Sequence, residues 1–232
     1  MTLEIKNLKK NYGEVEALKG VNIFVKPGQI VGLLGPNGSG KTTIIKTITG
    51  LLSSYEGEVS INGNSPGVLA NSDISYLPDK SHVPTWMKVS QSVDFFSDFY
   101  TDFDKPKALE MLTNMEIPLN RKIKSLSRGQ QEKVGLSLVM ARNAKLYILD
   151  EPIGAVDPAS RDFIMETILK NQSDGGSILI SSHIIADIEN NLDYAIFLKQ
   201  GEVFLEGEAN KLREEKGKNL DELFREVFKN VV

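Results

Sequence analysis

The residues best suited to chemistry lie in a short stretch, 35–43, that contains three glycines, a lysine and two threonines. Their order matches the pattern G-x-x-x-x-G-K-[ST]. Glycines let a backbone approach an anion closely and adopt positive φ angles, so that several N–H groups can reach the same phosphates. The lysine and threonine after the last glycine add a cation and a hydroxyl that can bind a metal. The stretch therefore predicts a binding site for a triphosphate.

The segments on either side of this loop support that prediction. The apolar run Ile30–Leu34 is typical of a buried strand, and the run from Thr42 to Thr49 has helical periodicity and ends at Gly50. A helix that begins near Lys41 would direct its free N–H groups and the positive end of its dipole at the anion. The alternative is a glycine-rich turn that merely contains a lysine, and such a turn would not need a strand and a helix around it.

The types of the loop residues predict their roles. Lys41 would reach the β- and γ-phosphates, and the Thr42 hydroxyl would be a ligand of Mg²⁺. The residues of the loop that we expect to bind the nucleotide are Gly35, Asn37, Gly38, Ser39, Gly40, Lys41, Thr42 and Thr43.

Two carboxylates follow another apolar run, Leu146–Leu149, which indicates a buried strand with Asp150 and Glu151 at its carboxyl end. In an open parallel α/β sheet, ligands bind at that end of the strands. An aspartate there can hold Mg²⁺, and a glutamate can orient or deprotonate an attacking water. By itself the pair would indicate only a polar strand exit, but together with loop 35–43 it predicts a functional role.

A histidine and a tyrosine are further candidates. His183 follows the apolar run 178–182, and it would lie beside the γ-phosphate if that strand runs parallel to the Asp150 strand. A lone histidine is more often structural or simply exposed. Tyr12 lies in a polar segment that we expect to be a loop, where it could stack on adenine, although an ordinary surface tyrosine is the more common case.

The sequence around residue 127 predicts the start of a helix, and this helix start has two possible roles. Ser127 and Gln130 have the spacing of a capping box, which predicts a well-capped helix. The same N-terminus, with a serine and a glycine, is also suited to binding an anion.

The remaining patterns outline the elements that must position these residues. Residues 2–33 predict short strands, broken by glycines at 13, 20 and 28, and residues 57–63 and 74–79 predict two more. Residues 195–198 and 203–205 predict a hairpin. The tail 212–232 has helical spacing of apolar residues, so we expect an amphipathic helix that packs on the body or on a partner.

The segment from 80 to about 143 has a different character. Its apolar residues have helical spacing, and Asp104 before Lys105-Pro106 is typical of a helix start. Aromatic residues between Phe95 and Phe103 also follow helical spacing; the core is their usual place, but an exposed share would suit docking of a partner. The pattern predicts a helical lobe inserted into an α/β core.

Composition excludes several classes of protein. The 232 residues carry a formal net charge of −4, which offers no electrostatic footprint for nucleic acid. The chain has no cysteine, so disulfides, thiolate metal sites and cysteine nucleophiles are excluded. The first residues do not resemble a signal peptide, and no apolar run approaches the length of a membrane span. We therefore expect a cytosolic protein, or one held at a membrane only through a partner.

Taken together, the motifs resemble the ATP-binding-cassette (ABC) ATPases over about residues 1–210, and in particular the small ATP-binding proteins of bacterial multidrug- or antibiotic-type transporters. The motifs follow the family's order: Tyr12, loop 35–43, the 76–79 loop, the signature 126–130, Asp150-Glu151, the run 155–158 and His183. The resemblance implies an α/β fold of the P-loop NTPase class, with an antiparallel β subdomain, an inserted helical lobe at about 80–143 and a helical tail at 211–232.

The resemblance also implies roles that spacing could not. Cassettes of this family pair head to tail, so that ATP on the phosphate loop of one subunit contacts Ser127, Gly129 and Gln130 of the other. Glu151 would then polarise the water and His183 would contact the γ-phosphate, with Lys41 as the third catalytic residue. Tyr12 would stack on adenine, and Asp157 would communicate across the dimer. The implied cofactors are ATP and Mg²⁺.

Two residues depart from the family pattern. The loop between the lobes usually offers a glutamine to Mg²⁺ and the water, whereas this chain has Asp79. A carboxylate is still an oxygen ligand, but it adds negative charge and cannot donate a hydrogen bond. The proposed metal ligands are thus Thr42, Asp150 and Asp79. Arg128 stands where a glycine is usual, and it could touch the partner's nucleotide or point into water.

The resemblance favours an ATP-hydrolysing subunit that couples cassette dimerisation to transport by separate integral membrane permease subunits. It would lie on the cytoplasmic face of the membrane, as a homodimer or a heterodimer of cassettes. A soluble cassette ATPase unconnected with transport is the alternative, but such proteins usually have two cassettes or long coiled-coil insertions. A non-catalytic nucleotide-binding module would lack Glu151 or His183, and both are present.

Overall fold

The computed structural model describes residues 1–80, 83–154 and 156–229. A three-stranded antiparallel sheet has the order β2-β1-β4, formed by β1 (Leu3–Tyr12), β2 (Val15–Val25) and β4 (Glu56–Ile61). A six-stranded sheet has the order β5-β6-β7-β3-β8-β9. Its strands are β3 (Ile30–Leu34), β5 (Ile74–Leu77), β6 (Leu146–Asp150), β7 (Ser177–Ser182), β8 (Tyr194–Lys199) and β9 (Glu202–Glu208).

All neighbouring strands of the larger sheet are parallel except the closing hairpin of β8 and β9. Because β7 lies between β6 and β3, the carboxyl ends of these three strands lie side by side. The strand order therefore brings together the ends of segments that are far apart in the chain. This is the edge at which parallel sheets bind ligands.

Eight α-helices surround the sheets in the described part of the chain. They are α1 (Lys41–Ile48), α2 (Val68–Ser72), α3 (Val89–Phe99), α4 (Lys105–Asn114), α5 (Arg128–Met140), α6 (Pro158–Asn171), α7 (Ala209–Lys216) and α8 (Leu220–Phe228). No helix in these ranges is long and apolar enough to cross a membrane.

The central sheet separates two hydrophobic cores, and alternate residues of each strand enter opposite cores. In β6, Ile148 belongs to the core that also contains residues of α1 and the small sheet. Its neighbour Leu149 belongs to the core that contains residues of α3, α4, α5, α6 and α8. Both faces of β6 are buried, so the strand reads as a continuous apolar run, as parallel strands usually do.

The N-terminal strands differ from the sequence prediction in two respects. Gly20 does not break a strand: β2 continues through it, because partners Leu8–Val21 and Lys9–Lys19 leave Gly20 as an extra residue in a bulge, with φ +102°. Tyr12 is the last residue of β1 and does not lie in a loop.

The helical lobe has the predicted character. The Asp104 side chain accepts a hydrogen bond from the backbone N–H of Lys107 at 3.0 Å and so caps α4. The aromatic residues divide between core and surface, since Phe96 is buried whereas Phe95 and Phe99 are exposed. The short helix α2 had no sequence prediction, and its Val68 and Leu69 are exposed.

The tail forms two helices, which corrects the prediction of a single amphipathic helix. Helix α7 ends at Gly217, which adopts φ +62°, and α8 begins after Asn219, which caps it through a hydrogen bond from the Glu222 N–H. A glycine in the left-handed region followed by a strong capping residue ends one helix and starts the next. Leu220, Leu223 and Phe228 are buried in the core that also contains Leu149 and residues of α3 to α6, which we call the main core.

Candidate active site

A cavity of about 550 Å³ opens at the carboxyl ends of β3, β6 and β7. Most of the sequence candidates line it, together with several residues that the sequence did not single out. The lining residues are Val15, Glu16, Ala17, Lys19, Asn37, Gly38, Ser39, Gly40, Lys41, Thr42, Thr43, Asp79, Arg128, Asp150, Glu151, Gly154, His183 and Gln200.

The phosphate loop needs glycine at two of its positions for steric reasons. A Cβ on Gly35 would lie 2.5 Å from the carbonyl oxygen of Leu198 and 2.5 Å from the hydroxyl of Ser39. Gly40 has φ +112°, and a Cβ there would lie 2.8 Å from the side chain of Leu18. The loop therefore folds tightly over the end of β3, and α1 begins at Lys41 with its N-terminus at the cavity.

Lys41 is held inside this loop. Its Nζ donates to the carbonyl oxygen of Gly35 at 2.6 Å and to that of Pro36 at 3.3 Å, and it lies 3.5 Å from Oε1 of Glu151. Burial lowers the pKa of the Lys41 ammonium, an effect that Glu151 and Asp150 oppose. The lysine thus joins the loop to the carboxylates at the end of β6.

Asp150 ends β6 as a buried carboxylate, with 3% of the residue exposed. Ser181 on β7 donates its hydroxyl to Asp150 Oδ1 at 2.5 Å, and the Glu151 N–H donates to the carbonyl oxygen of Ser181 at 3.1 Å. Burial raises the pKa of the Asp150 carboxyl, Glu151 and Asp79 add to the rise, and the Ser181 hydrogen bond and Lys41 oppose it. A bound cation would relieve this unfavourable burial of charge.

Glu151 is held by its neighbours in an unusual backbone conformation. Its φ of +52° lies in the left-handed region, which non-glycine residues adopt at a cost of about 1–3 kcal/mol. Its Oε2 lies 2.9 Å from Nδ1 of His183, while Oε1 faces the Lys41 ammonium. The turn aims the carboxylate between a cation and an imidazole.

The oxygen atoms at one wall of the cavity fit a hard divalent cation. The Thr42 hydroxyl and the carboxylates of Asp79 and Asp150 line the same space. Burial raises the pKa of nearby Tyr76 to about 12, and the negative charges of Asp150 and Asp79 add to the rise. Within the described ranges no three acidic, histidine or cysteine side chains form a metal cage. Mg²⁺ usually binds one or two carboxylates and completes its shell with phosphate oxygens and water, so the carboxylates of Asp79 and Asp150 would suit it.

Five candidates do not line this cavity: Gly35, which lies beneath the loop against Leu198, and Tyr12, Ser127, Gly129 and Gln130. Tyr12 is 48% exposed, and the Nζ of Lys10 lies 5.1 Å from the centre of its ring. Ser127 Oγ accepts the Gln130 N–H at 3.2 Å and Gln130 Oε1 accepts the Ser127 N–H at 3.0 Å, so the predicted capping box is formed.

Arg128 does line the cavity, although its neighbours Ser127 and Gly129 do not. Its Nε donates to Oε1 of Glu132 at 3.2 Å, one turn further along α5. The side chain is therefore held along its own helix while it remains largely exposed.

The loop after Glu151 contains the run 155–158. Ala155 lies outside the described residues, and Asp157 caps α6 by accepting the Ser160 N–H at 3.1 Å. Gly154 lines the cavity.

Three residues that contact or line the site were not identified from the sequence: Ser181, Lys19 and Gln200. Ser181 stood in the small-residue run before His183, and a hydroxyl at a strand end was the available signal for it. Lys19 and Gln200 reach the cavity from β2 and from the β8–β9 turn, and no local pattern marks them.

Comparisons with known proteins agree on one family. The family model described as "ABC transporter" matches residues 18–154. A lantibiotic transport ATP-binding protein of Streptococcus pyogenes, SrtF, is 31% identical over 226 residues, which cover 96% of this chain and 95% of SrtF. The ABC-type transporter ATP-binding protein EcsA of Bacillus subtilis is 30% identical, with 98% of this chain and 96% of EcsA covered.

Solved structures give the same result. The ATP-binding subunit of an ABC transporter superposes with a TM-score of 0.86 at 28% identity, over 97% of this chain and 99% of that one. The dimeric cassette MJ0796 superposes with a TM-score of 0.78 at 29% identity, over 89% and 98%, and has also been solved in a post-hydrolysis state with ADP and Pi. With the phosphate loop, the carboxylate pair and the histidine assembled at one sheet edge, this chain belongs to the ABC transporter family as an ATP-binding and ATP-hydrolysing subunit.

Proposed function

We propose that this chain hydrolyses ATP at a composite site, in which its own phosphate loop meets the signature of a second cassette. The observation that carries the proposal is the chain of contacts from Lys41 through Glu151 to His183, with separations of 3.5 Å and 2.9 Å along one wall of the cavity. Ser127, Gly129 and Gln130 do not reach this wall, so they are free to serve a nucleotide on another subunit.

Three residues would act on the reacting groups. Glu151 accepts a proton from a water whose oxygen bonds to the γ-phosphorus as the bond to the β,γ-bridging oxygen breaks, and this releases ADP and phosphate. His183 holds the Glu151 carboxylate in place and contacts the γ-phosphate. Lys41 exchanges the carbonyl oxygens of Gly35 and Pro36 for phosphate oxygens and balances their charge.

Thr42, Asp150 and Asp79 are the residues we propose for Mg²⁺, on the strength of the oxygen donors at that wall. When bound, Mg²⁺ would neutralise charge on the β- and γ-phosphates. Ser181 orients Asp150 by its hydrogen bond at 2.5 Å, leaving the other carboxylate oxygen for the metal or its water. Asp79 can bind the metal but cannot donate to the water, so orientation of the water falls to Glu151 and His183.

We propose that the chain works with integral membrane permease subunits at the cytoplasmic face of a membrane, and that it pairs with a second copy of itself. The relative SrtF is named for lantibiotic transport, and the MJ0796 cassette is dimeric. Exposed Phe95 and Phe99 on the helical lobe offer an apolar surface for a partner. The phosphate loop, the signature, the carboxylate pair and the histidine are all present in this one chain, although Asp79 and Arg128 depart from the usual residues.

A Glu151→Gln substitution tests the composite site. We expect ATP turnover to fall by about 10²-fold or more, because the general base is lost, while ATP and Mg²⁺ convert the variant into a stable dimer on size-exclusion chromatography. Glu166→Gln is the matched control, since Glu166 is exposed on α6, away from the cavity, and pairs with Lys170 at 2.6 Å. A Glu151→Gln variant that hydrolyses ATP like the wild type would overturn the proposed mechanism. A variant that is inactive but monomeric would overturn the homodimer.

A further inference from the structure

The segment that carries His183 is a compact linker, 183–193, between β7 and β8. Its turns are closed by short-range hydrogen bonds, among them the Glu189 N–H to the Ile185 carbonyl at 2.9 Å and the Ile188 N–H to the same carbonyl at 3.0 Å. Ile185 and Ile188 are buried in the main core. A displacement of Glu189 would therefore move Ile185, two residues from His183.

Glu189 is a buried carboxylate that the reaction does not use. Only 8% of the residue is exposed, and its Oε2 accepts the backbone N–H of Leu220 at 2.6 Å and that of Asp221 at 3.3 Å. These are the first two residues of α8. A carboxylate at free N–H groups of a helix N-terminus forms charge-assisted hydrogen bonds and interacts favourably with the dipole. In addition, the guanidinium of Arg213 on α7 donates to the Glu189 carbonyl.

Helix α8 is itself held at its far end. Lys199 on β8 donates its Nζ to the carbonyl oxygen of Val227 at 3.1 Å and lies 5.9 Å from the ring centre of Phe228. Leu220, Leu223 and Phe228 are buried in the same core as Ile185 and Ile188. The buried Leu220 and Leu223 hold the N-terminal part of α8 in the core that it shares with the linker, whereas Lys199 holds only the C-terminal end of the helix.

Arg161 makes a second set of contacts that holds the linker, and these contacts connect it to the loop after Glu151. Arg161 on α6 donates to Asp187 Oδ2 at 2.6 Å and to the carbonyl oxygen of Val156 at 3.3 Å. Val156 lies in the loop after Glu151, so Arg161 joins the loop after Glu151 to the linker after His183. The linker is therefore held by hydrogen bonds at Asp187 and at Glu189, the two residues on either side of Ile188.

We infer that Glu189 is a positioning residue for ATP hydrolysis: by binding the N-terminus of α8, it holds the linker so that His183 stays in contact with Glu151. The tail of the chain, about 37 residues beyond His183 in sequence, thereby sets the geometry of the catalytic centre. The inference deepens the proposed function, because it assumes that the contact between His183 and Glu151 serves hydrolysis.

Steady-state ATPase kinetics compare three variants. We expect Glu189→Ala to lower kcat about tenfold, because a displacement of about 1 Å in a catalytic group is costly, and to change the KM for ATP less than twofold. Glu189→Gln keeps an oxygen acceptor for the Leu220 N–H and should restore most of kcat. Lys199→Ala loosens α8 at its other end and should lower Tm without lowering kcat. Equal loss of kcat in Glu189→Ala and Lys199→Ala, scaling with Tm, would overturn the positioning role.

The position of His183 can be measured without activity. The chain has two histidines, so a His82→Gln background leaves one imidazole signal in the NMR spectrum. We expect Glu189→Ala to shift that signal in the same direction as Glu151→Gln does, and Lys199→Ala to leave it in place. If Glu189→Ala is insoluble, Glu189→Asp, which shortens the side chain by one methylene, replaces it. An unchanged signal overturns the inference. A shifted signal, with a His183→Ala variant that hydrolyses ATP normally, instead refutes the proposed role of His183.

Discussion

The two regions that we propose to contact nucleotide are built in opposite ways. The core half-site, which comprises loop 35–43 with Asp150, Glu151 and His183, brings together side chains from three strand ends. Lys41 and Asp150 are buried, and Glu151 contacts both Lys41 and the exposed His183. The lobe half-site, which comprises Ser127, Gly129 and Gln130, is one helix N-terminus, where the side chains of Ser127 and Gln130 form a capping box. A Cβ added at Gly129 would meet open space.

This difference indicates which contacts to a nucleotide each half-site can make within a single chain. The core half-site has the Lys41 ammonium, the Glu151 carboxylate and the oxygens that we propose for a metal, so we expect one chain to bind a triphosphate. The lobe half-site has N–H groups and a hydroxyl at the surface, and we expect them to act only on an anion brought by another molecule. Residues of the core half-site should therefore affect binding to a single chain, and residues of the lobe half-site should affect only the assembled dimer.

The strongest test of that distinction is Ser127→Ala. We expect ATP turnover to fall by about 10- to 100-fold, since a hydrogen bond to a charged group contributes about 1.5–3 kcal/mol. ATP affinity of the isolated chain, measured by calorimetry at low protein concentration, should stay within about twofold of the wild type, since the lost contact belongs to the dimer.

Asp104→Ala supplies the matched control, because Asp104 caps α4 in the same lobe by accepting the Lys107 N–H at 3.0 Å. Both substitutions remove an N-cap and should cost about 1 kcal/mol of stability, but Asp104→Ala should leave turnover unchanged. Equal loss of turnover in both would mean that Ser127 acts only through the stability of its helix.

A smaller effect is expected at Tyr12, which would belong to the core half-site if it stacks on adenine. Tyr12→Ala should weaken ATP binding by the isolated chain about tenfold, on the basis of about 1–3 kcal/mol for an aromatic–base stack, while Tyr12→Phe should retain the wild-type affinity. Triphosphate without a base should bind both variants equally. An unchanged affinity for ATP in Tyr12→Ala would make Tyr12 an ordinary surface residue beside Lys10.

The smallest effect is one of stability in the core half-site. Burial raises the pKa of the Asp150 carboxyl, so the folded chain binds that proton more tightly than the unfolded chain does. Between the ordinary and the raised pKa, the free energy of unfolding therefore falls as the pH rises. We expect Asp150→Asn, without nucleotide or Mg²⁺, to melt about 2–4 °C above the wild type at pH 8, which corresponds to about 1 kcal/mol in a chain of this size.

Differential scanning calorimetry between pH 4 and pH 8 checks this expectation. The difference in Tm between Asp150→Asn and the wild type should decrease as the pH falls toward the ordinary pKa of aspartate, because the wild-type carboxyl then becomes neutral like the asparagine amide. Asp162→Asn, on the exposed side of α6, is the control and should show no such trend. A lower Tm for Asp150→Asn at pH 8 would show that Asp150 stabilises the fold as an anion.

Local patterns predicted local structure well. The strand before the phosphate loop, the helix after it, the capping box of α5 and the cap of α4 all depend on residues within a few positions of one another. Predictions were wrong where one local sequence pattern is compatible with two backbone conformations. Gly20 indicated a break but forms a bulge, because the ladder with β1 continues beyond it, and the tail pattern continued through Gly217, where the backbone turns left-handed.

By itself, then, the sequence determined the chemistry available to this protein: the phosphate loop, the carboxylate pair and the histidine, each at the end of an apolar strand. The tertiary structure alone decided their arrangement. The order β6-β7-β3 places Ser181 against Asp150 and His183 against Glu151, across about 30 residues of chain, and it brings Glu189 to the N-terminus of α8. Backbone periodicity reports only on neighbours along the chain, whereas strand order follows from how all the apolar faces are buried together.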